Sequence, residues 1–196
     1  TQSFNVTGLS TVTTYYFAIK AADAANNFSS LSNVASNTTL LYNYTANITP
    51  TMTSNLAHSP FAAISSNPGI SSIYAAYRAF NHDVDDAWYS TSLPAWVGIN
   101  FNQAKTIAKY TVSRSSNLGY DNGYLSPKTW TFEGSNNQTS WTVLDTQTNQ
   151  TSWTVGETRA FIISSPQSYQ YYRLNVTAAD GNTDIAVGEL EMMEQQ

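Results

Sequence analysis

The segment Pro-Lys-Thr-Trp-Thr-Phe-Glu-Gly-Ser-Asn at residues 127–136 alternates threonine with large aromatic residues before it reaches a cluster of small and polar residues. An alternation of this kind predicts a β-strand that buries one face and ends at a turn. The same pattern recurs on either side, at residues 96–101 and 172–176, and again near the start of the chain at residues 14–19. Many short strands at a spacing of about 10 residues indicate an all-β chain built as a sandwich or barrel.

The aromatic residues of these strands are expected to form the core. Trp88, Trp96, Trp130, Phe132 and Tyr172 follow the strand alternation. Large side chains in such positions are more often buried than exposed to a ligand. The aromatic residues that inform on binding are therefore those in loops.

The composition restricts the classes of function. Of 196 residues, 41% are hydrophobic and only 11% are charged, and the net charge is -5. The chain can bury a core but has no basic surface for a phosphate backbone, so we expect no nucleic-acid partner. No apolar run approaches the roughly 18 residues of a membrane helix, so we expect no membrane insertion. The absence of cysteine excludes disulfides, thiolate metal sites and cysteine nucleophiles.

Residues 1–40 have a pattern of their own. They contain Phe-Asn-Val-Thr-Gly-Leu at 4–9, Tyr-Tyr-Phe-Ala-Ile-Lys-Ala-Ala-Asp at 15–23 and Asn-Phe-Ser-Ser-Leu-Ser-Asn at 27–33. These segments resemble the last three strands of a fibronectin type III domain, an immunoglobulin-like sandwich. Because half a sandwich leaves an open edge and an uncovered apolar face, we expect the native polypeptide to extend before Thr1 or another chain to cover this segment.

A linker at residues 41–56, rich in Thr, Asn and Tyr, leads to a second domain at residues 57–196. The second domain contains five characteristic segments: Ala-Phe-Asn-His-Asp-Val-Asp-Asp-Ala-Trp at 79–88, Trp-Val-Gly-Ile-Asn-Phe at 96–101, the segment at 127–136, Tyr-Tyr-Arg-Leu-Asn-Val-Thr at 171–177 and Gly-Glu-Leu-Glu at 188–191. In order and spacing they resemble discoidin, or coagulation factor V/VIII C-type, domains, and within these the family 32 carbohydrate-binding modules. The resemblance implies a discoidin-like (galactose-binding-like) jelly-roll β-sandwich.

Residues 81–86 hold the hard oxygen atoms of Asn81 and three aspartates, a set that suits a calcium ion. The same segment can equally be a solvated turn with surface charges. In the discoidin family this loop and a glutamate on the last strand hold a structural calcium ion. The loop departs from the family at Asn81, where relatives have Asp, and at His82, where they have Gly. The resemblance implies calcium as a cofactor, bound by Asn81, Asp83, Asp86 and Glu189.

Loop residues are the candidates for sugar binding. Tyr89 directly follows Trp88, at a position where related sugar-binding modules often carry a His that contacts the ligand. Tyr120 and Tyr124 flank the turn at 121–123, where their rings can stack on the apolar face of a sugar.

Arg114 closes the strand predicted at residues 107–113, so it should project at the loop end of the sandwich. Galactose-binding relatives use an Arg at this place and an Asn-Gly pair soon after it, so the resemblance implies Arg114 and Asn122 as sugar contacts. Alternatively, Arg114 pairs with Asp121 and braces the loop. The loop at residues 180–184, where sugar-binding relatives often carry another aromatic residue, has none.

The sequence does not predict an enzyme. It has only two His, no Cys, no glycine-rich phosphate loop and no serine nucleophile elbow. Glu189 and Glu191 share one face of a strand and cannot flank a glycosidic bond as the two carboxylates of a glycosidase do.

We therefore predict a non-catalytic module for glycan binding and adhesion at the C-terminal end of a longer extracellular, cell-surface or virion protein. Its expected partners are a cell-surface or extracellular polysaccharide and the other subunits or domains of a larger assembly. Two alternatives stay open. One is a structural decoration or spacer module of a virion fibre, appendage or surface layer, without sugar binding, and the other is a targeting appendage of a glycoside hydrolase.

Overall fold

The computed structural model describes Val6, Leu9 and residues 13–39, 43–66, 72–117 and 124–196. The chain divides into two compact units, Thr1–Asn43 and Tyr44–Gln196. Within the described ranges the regular elements are strands and two short 3-10 turns, which confirms the prediction of an all-β chain. No helix in those ranges is long and apolar enough to cross a membrane.

In the first unit the described residues form one antiparallel strand pair. Strand β1, Thr14–Phe17, pairs with β2, Ala35–Thr38, and the hydroxyls of Thr14 and Thr38 lie 2.6 Å apart. The large apolar residues of this unit stay exposed, among them Tyr16, Ile19, Phe28, Leu31 and Val34. A strand pair with so little burial is marginally stable on its own. Most of the segment at residues 4–9 lies outside the described residues.

The described residues of the second unit form nine strands and two 3-10 turns. In chain order these are β3 (Ala62–Ser65), the turns Ser72–Tyr74 and Ala76–Ala79, β4 (Trp88–Ser90), β5 (Ala95–Ser113), β6 (Pro127–Ser135), β7 (Thr142–Gln147), β8 (Thr158–Ile162), β9 (Ser168–Ala179), β10 (Ile185–Val187) and β11 (Glu189–Glu194).

The 19-residue strand β5 joins the two layers of this unit. Its first part pairs with β3 and β9, and β9 continues through β6 to β7. Its last part pairs with β8 and β11, while β4 and β10 form a separate pair. The layers meet in an aromatic core, where the ring of Tyr110 stacks on Phe132 at 4.2 Å.

Four of the five aromatic residues assigned to the core are fully buried, namely Trp88, Trp130, Phe132 and Tyr172. The prediction for Trp96 is wrong, because its indole is only partly buried and lies on the outer face of the sheet. The neighbouring Val97 and Ile99 are fully buried. Since side chains alternate along a strand, Val97 on the core side sends Trp96 to the opposite face.

Residues 44–52 run along β11 inside the second unit. The N–H of Thr45 donates to the carbonyl of Glu194 at 2.9 Å, and that of Ile48 donates to Met192 at 2.9 Å. Met52 is fully buried, and its N–H donates to the carbonyl of Phe80. Much of the segment interpreted from sequence as a linker thus has hydrogen-bonded backbone.

Candidate functional site

Three loops meet at one end of the second unit. The loop at residues 180–184 joins β9 to β10, and the N–H of Asp180 donates to the carbonyl of Ser126 at 3.0 Å. The Asp180 carboxylate accepts from the N–H of Ser152 at 3.0 Å, and the N–H of Ala186 donates to the carbonyl of Leu125. These bonds hold the loops at 124–126, 152–153 and 180–184 together, and we call this region the loop end.

Tyr89 lies at the loop end in the middle of β4, opposite Ala186 of β10. Its hydroxyl donates to the Asp184 carboxylate at 2.5 Å, and its ring centroid is 5.1 Å from that of Tyr74. Desolvation by burial and the bond to Asp184 raise the pKa of Tyr89 to about 12. The phenol therefore stays protonated at neutral pH. Because its O–H donates a hydrogen bond to Asp184, its oxygen can only accept a hydrogen bond from a ligand hydroxyl.

Arg114 follows the last residue of β5 and is 93% buried, with a relative exposure of 7%. A guanidinium N–H of Arg114 donates to the carbonyl of Trp153 at 2.8 Å. Arg114 is thus attached to the same loop that Asp180 holds through Ser152. The alternative partner, Asp121, lies outside the described residues, as do Tyr120 and Asn122.

Tyr124 is half exposed at the loop end and rests against the backbone of Gly181. A Cβ built on Gly181 would lie 2.6 Å from a Tyr124 ring carbon, and the φ of Gly181 is 137°. Glycine is required there both for the conformation and for the space that the ring occupies.

The structure therefore brings Tyr89, Tyr124 and Arg114 to one end of the unit through the loop at 180–184. Two members of this arrangement, Tyr74 and Asp184, were not predicted from the sequence. The bond between Tyr89 and Asp184 spans 95 residues. The signal available in the sequence was a carboxylate directly before a strand, in a loop without aromatic residues.

The predicted metal-binding loop is held mainly by its own hydrogen bonds. The Asn81 side-chain oxygen accepts from the N–H of Asp83 at 3.1 Å, and the Asp83 carboxylate accepts from the N–H of Asp85 at 3.0 Å. Asp86 forms an ion pair with Arg78 and accepts from the Asn81 amide at 3.1 Å. His82 has a φ of 59°, the left-handed conformation that glycine adopts most easily.

Glu189 reaches this loop from β11. One of its oxygens accepts from the N–H of Asp83 at 2.9 Å, and the other, Oε2, is buried without a hydrogen-bond partner among the described residues. Burial raises the pKa of Glu189 to about 8. Glu189 and Glu191 line a cavity of about 210 Å³ together with His82, Val84, Ser113 and Thr158.

These contacts test how well the loop suits a cation. The unpartnered Oε2 of Glu189 fits a cation ligand. The Asp86 carboxylate is already engaged by Arg78. Within the described ranges no three Asp, Glu or His side chains are grouped so that they could hold a metal ion. A bound ion would therefore take Glu189 as its carboxylate ligand and further oxygens from the loop.

The family model and the solved structures point to the same type of domain. The model of the F5/8 type C domain matches residues 60–190. No curated protein matches the sequence.

Three bacterial proteins of solved structure share the fold. The F5/8 type C domain of a Bacteroides fragilis protein is 17% identical with a TM-score of 0.59, and the match covers 70% of this chain and 93% of that one. The family 32 carbohydrate-binding module of C. perfringens NanJ, solved in complex with galactose, is 16% identical with a TM-score of 0.55, covering 69% and 95%. The family 32 module of Streptococcus pneumoniae EndoD is 18% identical with a TM-score of 0.57, covering 76% and 99%. At these identities the likeness shows the shared fold.

Proposed function

Because the chain belongs to the F5/8 type C domain family through residues 60–190, we propose that its second unit is a non-catalytic glycan-binding module that grips sugar at the loop end. The observation that carries this proposal is the group formed by Tyr74, Tyr89 and Asp184, in which two aromatic rings lie beside a carboxylate. Aromatic rings stack on the apolar face of a pyranose, and a carboxylate accepts bonds from its hydroxyls.

The candidate contacts are Tyr89, Arg114, Tyr120, Asn122 and Tyr124, to which we add Asp184. The hydrogen bond between Arg114 and the carbonyl of Trp153 supports a guanidinium held in one orientation at the base of the loops. Tyr120 and Asn122 rest on the sequence resemblance alone. The C. perfringens relative was solved with galactose, so galactose is the first ligand to test.

A glycan array followed by calorimetric titration of the full chain tests this assignment. We expect Tyr89→Phe and Asp184→Asn each to weaken binding by about tenfold, since the first removes a hydroxyl and the second removes the charge of the acceptor. Tyr16→Phe, the same chemical change at an exposed tyrosine of the first unit, is the matched control and should change nothing. Undiminished binding by both loop-end variants contradicts the proposed site.

We also propose the context in which the module works. It would adhere to polysaccharide from the C-terminal end of a longer extracellular, cell-surface or virion protein, where repetition compensates for weak individual sites. The exposed apolar side chains on the first unit support the proposal that residues 1–40 are part of a fibronectin type III domain. Calcium bound at Glu189 is proposed as a structural cofactor, and the unpartnered Oε2 of Glu189 supports it.

A further inference from the structure

The outer face of the main sheet carries a cluster of Trp96, Arg173 and Trp141, which we call the indole clip. Trp96 lies on β5 and Arg173 on β9, both on the side opposite the buried Val97 and Leu174. Trp141 lies just before β7. All three side chains are partly exposed.

The guanidinium of Arg173 packs against both indoles. Its Cζ atom is 4.0 Å from the ring centroid of Trp141 and 5.4 Å from that of Trp96, and the two indole centroids are 6.3 Å apart. Beneath it, the Nε of Arg173 donates to the Glu133 carboxylate at 2.6 Å. The indole clip is therefore held in one arrangement before any ligand arrives, which lowers the entropy lost on binding.

The charges of the indole clip cancel. Glu133 is 5% exposed, and its other oxygen accepts from the Thr131 hydroxyl at 2.5 Å and the Asn175 amide at 3.2 Å. A neutralised guanidinium offers no net attraction to an anion. What the surface presents is two indoles beside hydroxyl and amide groups, the chemistry that complements an uncharged pyranose ring.

Gly98 lies beside the indole clip and is buried. Gly98 pairs directly with Arg173 across the sheet. A Cβ at this position would lie 2.3 Å from the carbonyl oxygen of Tyr172, so no other residue fits there. The absence of a side chain at Gly98 lets strand β9 lie close to β5 at Arg173.

We propose that the indole clip is a second glycan-binding surface, which takes an uncharged polysaccharide chain lying across the sheet. It is separate from the loop end and does not depend on sugar binding there. A polymer that reaches both surfaces binds more tightly than a short oligosaccharide, because the second contact is intramolecular.

Affinity electrophoresis of the full chain in galactan, mannan, xylan and mixed-linkage β-glucan tests the proposal. We expect Trp141→Ala to weaken binding to the recognised polysaccharide by about tenfold, while Trp141→Phe, which keeps an aromatic ring, retains most of it. Val143→Ala is the matched control. Val143 lies on β7 close to Trp141 and is 52% exposed, so its truncation should leave binding unchanged. Tyr89→Phe should weaken monosaccharide binding and leave the effect of Trp141→Ala intact, which separates failure of this surface from failure of the loop end.

Nuclear magnetic resonance of the unmodified chain provides a readout that needs no stable variant. The indole N–H signals of Trp96 and Trp141 should shift during titration with the polysaccharide, and that of the fully buried Trp130 should not. Unchanged indole signals, unchanged binding by a folded Trp141→Ala variant, or no binding to any of the four polysaccharides overturns the proposal.

Discussion

Two glutamates on strands of the second unit are almost equally buried, Glu133 at 5% and Glu189 at 6% exposure, yet their surroundings differ. Glu133 is paired with Arg173 and hydrogen-bonded on both oxygens. Glu189 has one hydrogen-bonded oxygen, one oxygen without a partner in the described part of the chain, and a pKa raised to about 8. A buried carboxylate is stable only when it is paired, protonated or bound to a cation. The first glutamate is already satisfied by the protein, whereas the second is left to a proton or a cation.

The largest expected effect comes from breaking the satisfied pair. Arg173→Met should lower the free energy of unfolding by about 3 kcal/mol, because Glu133 is left charged and buried. Urea unfolding measures the change. The control is the double variant Arg173→Met with Glu133→Gln, which removes the uncompensated charge and should recover most of the loss. Equal losses in the single and double variants would show that packing on the indoles, not charge, dominates.

The next largest effect is expected at Glu189, in the pH dependence of stability. The folded-state pKa of Glu189 is raised to about 8 from 4.5, so the native state keeps a proton that the unfolded state releases between these values. The stabilisation is therefore complete below pH 4.5 and is lost as the pH rises through 8. In the presence of a chelator, Glu189→Gln should remove this loss and be the more stable protein at pH 8, by about 1 kcal/mol or more.

With calcium present, we expect the unmodified chain to be more stable than Glu189→Gln. Added calcium should raise the thermal midpoint of the unmodified chain, since an ion that binds only the folded state stabilises it. Glu189→Gln should respond far less, because the amide carries no charge. A midpoint that calcium leaves unchanged in both proteins counts against the proposed cofactor.

The smallest effect is expected at a pair that is open to water. Lys105 and Glu194 lie 3.4 Å apart, with side-chain exposures of 25% and 28%. Lys105→Ala should change the free energy of unfolding by less than about 0.5 kcal/mol. The same urea titration measures the change. A larger loss would mean that burial does not explain why the Glu133–Arg173 pair contributes more to stability than the Lys105–Glu194 pair.

The sequence predicted the strands well where alternation is strong. Residues 129–132, 96–101 and 172–176 all fall within the observed strands β6, β5 and β9. It failed at Trp96, because alternation shows that two faces exist without showing which face meets the other layer. Only the burial of Val97 and Ile99 assigns the faces.

The candidate site was predictable in part for the same reason. Tyr89, Arg114 and Tyr124 could be proposed as candidates because each follows or flanks a local pattern, and the structure places all three at the loop end. Asp184 could not be assigned, because its role depends on a bond to Tyr89 across 95 residues. Glu133 likewise gains its partner Arg173 only when β6 pairs with β9.

The sequence alone thus established an all-β chain and the family of its second unit, since strand alternation and motif order are properties of neighbouring residues. The tertiary structure decided which partners each buried glutamate has and on which face of the sheet each indole lies. The pairing of distant strands decides which side chains come into contact. The low polarity of the interior then decides how strong each polar interaction is.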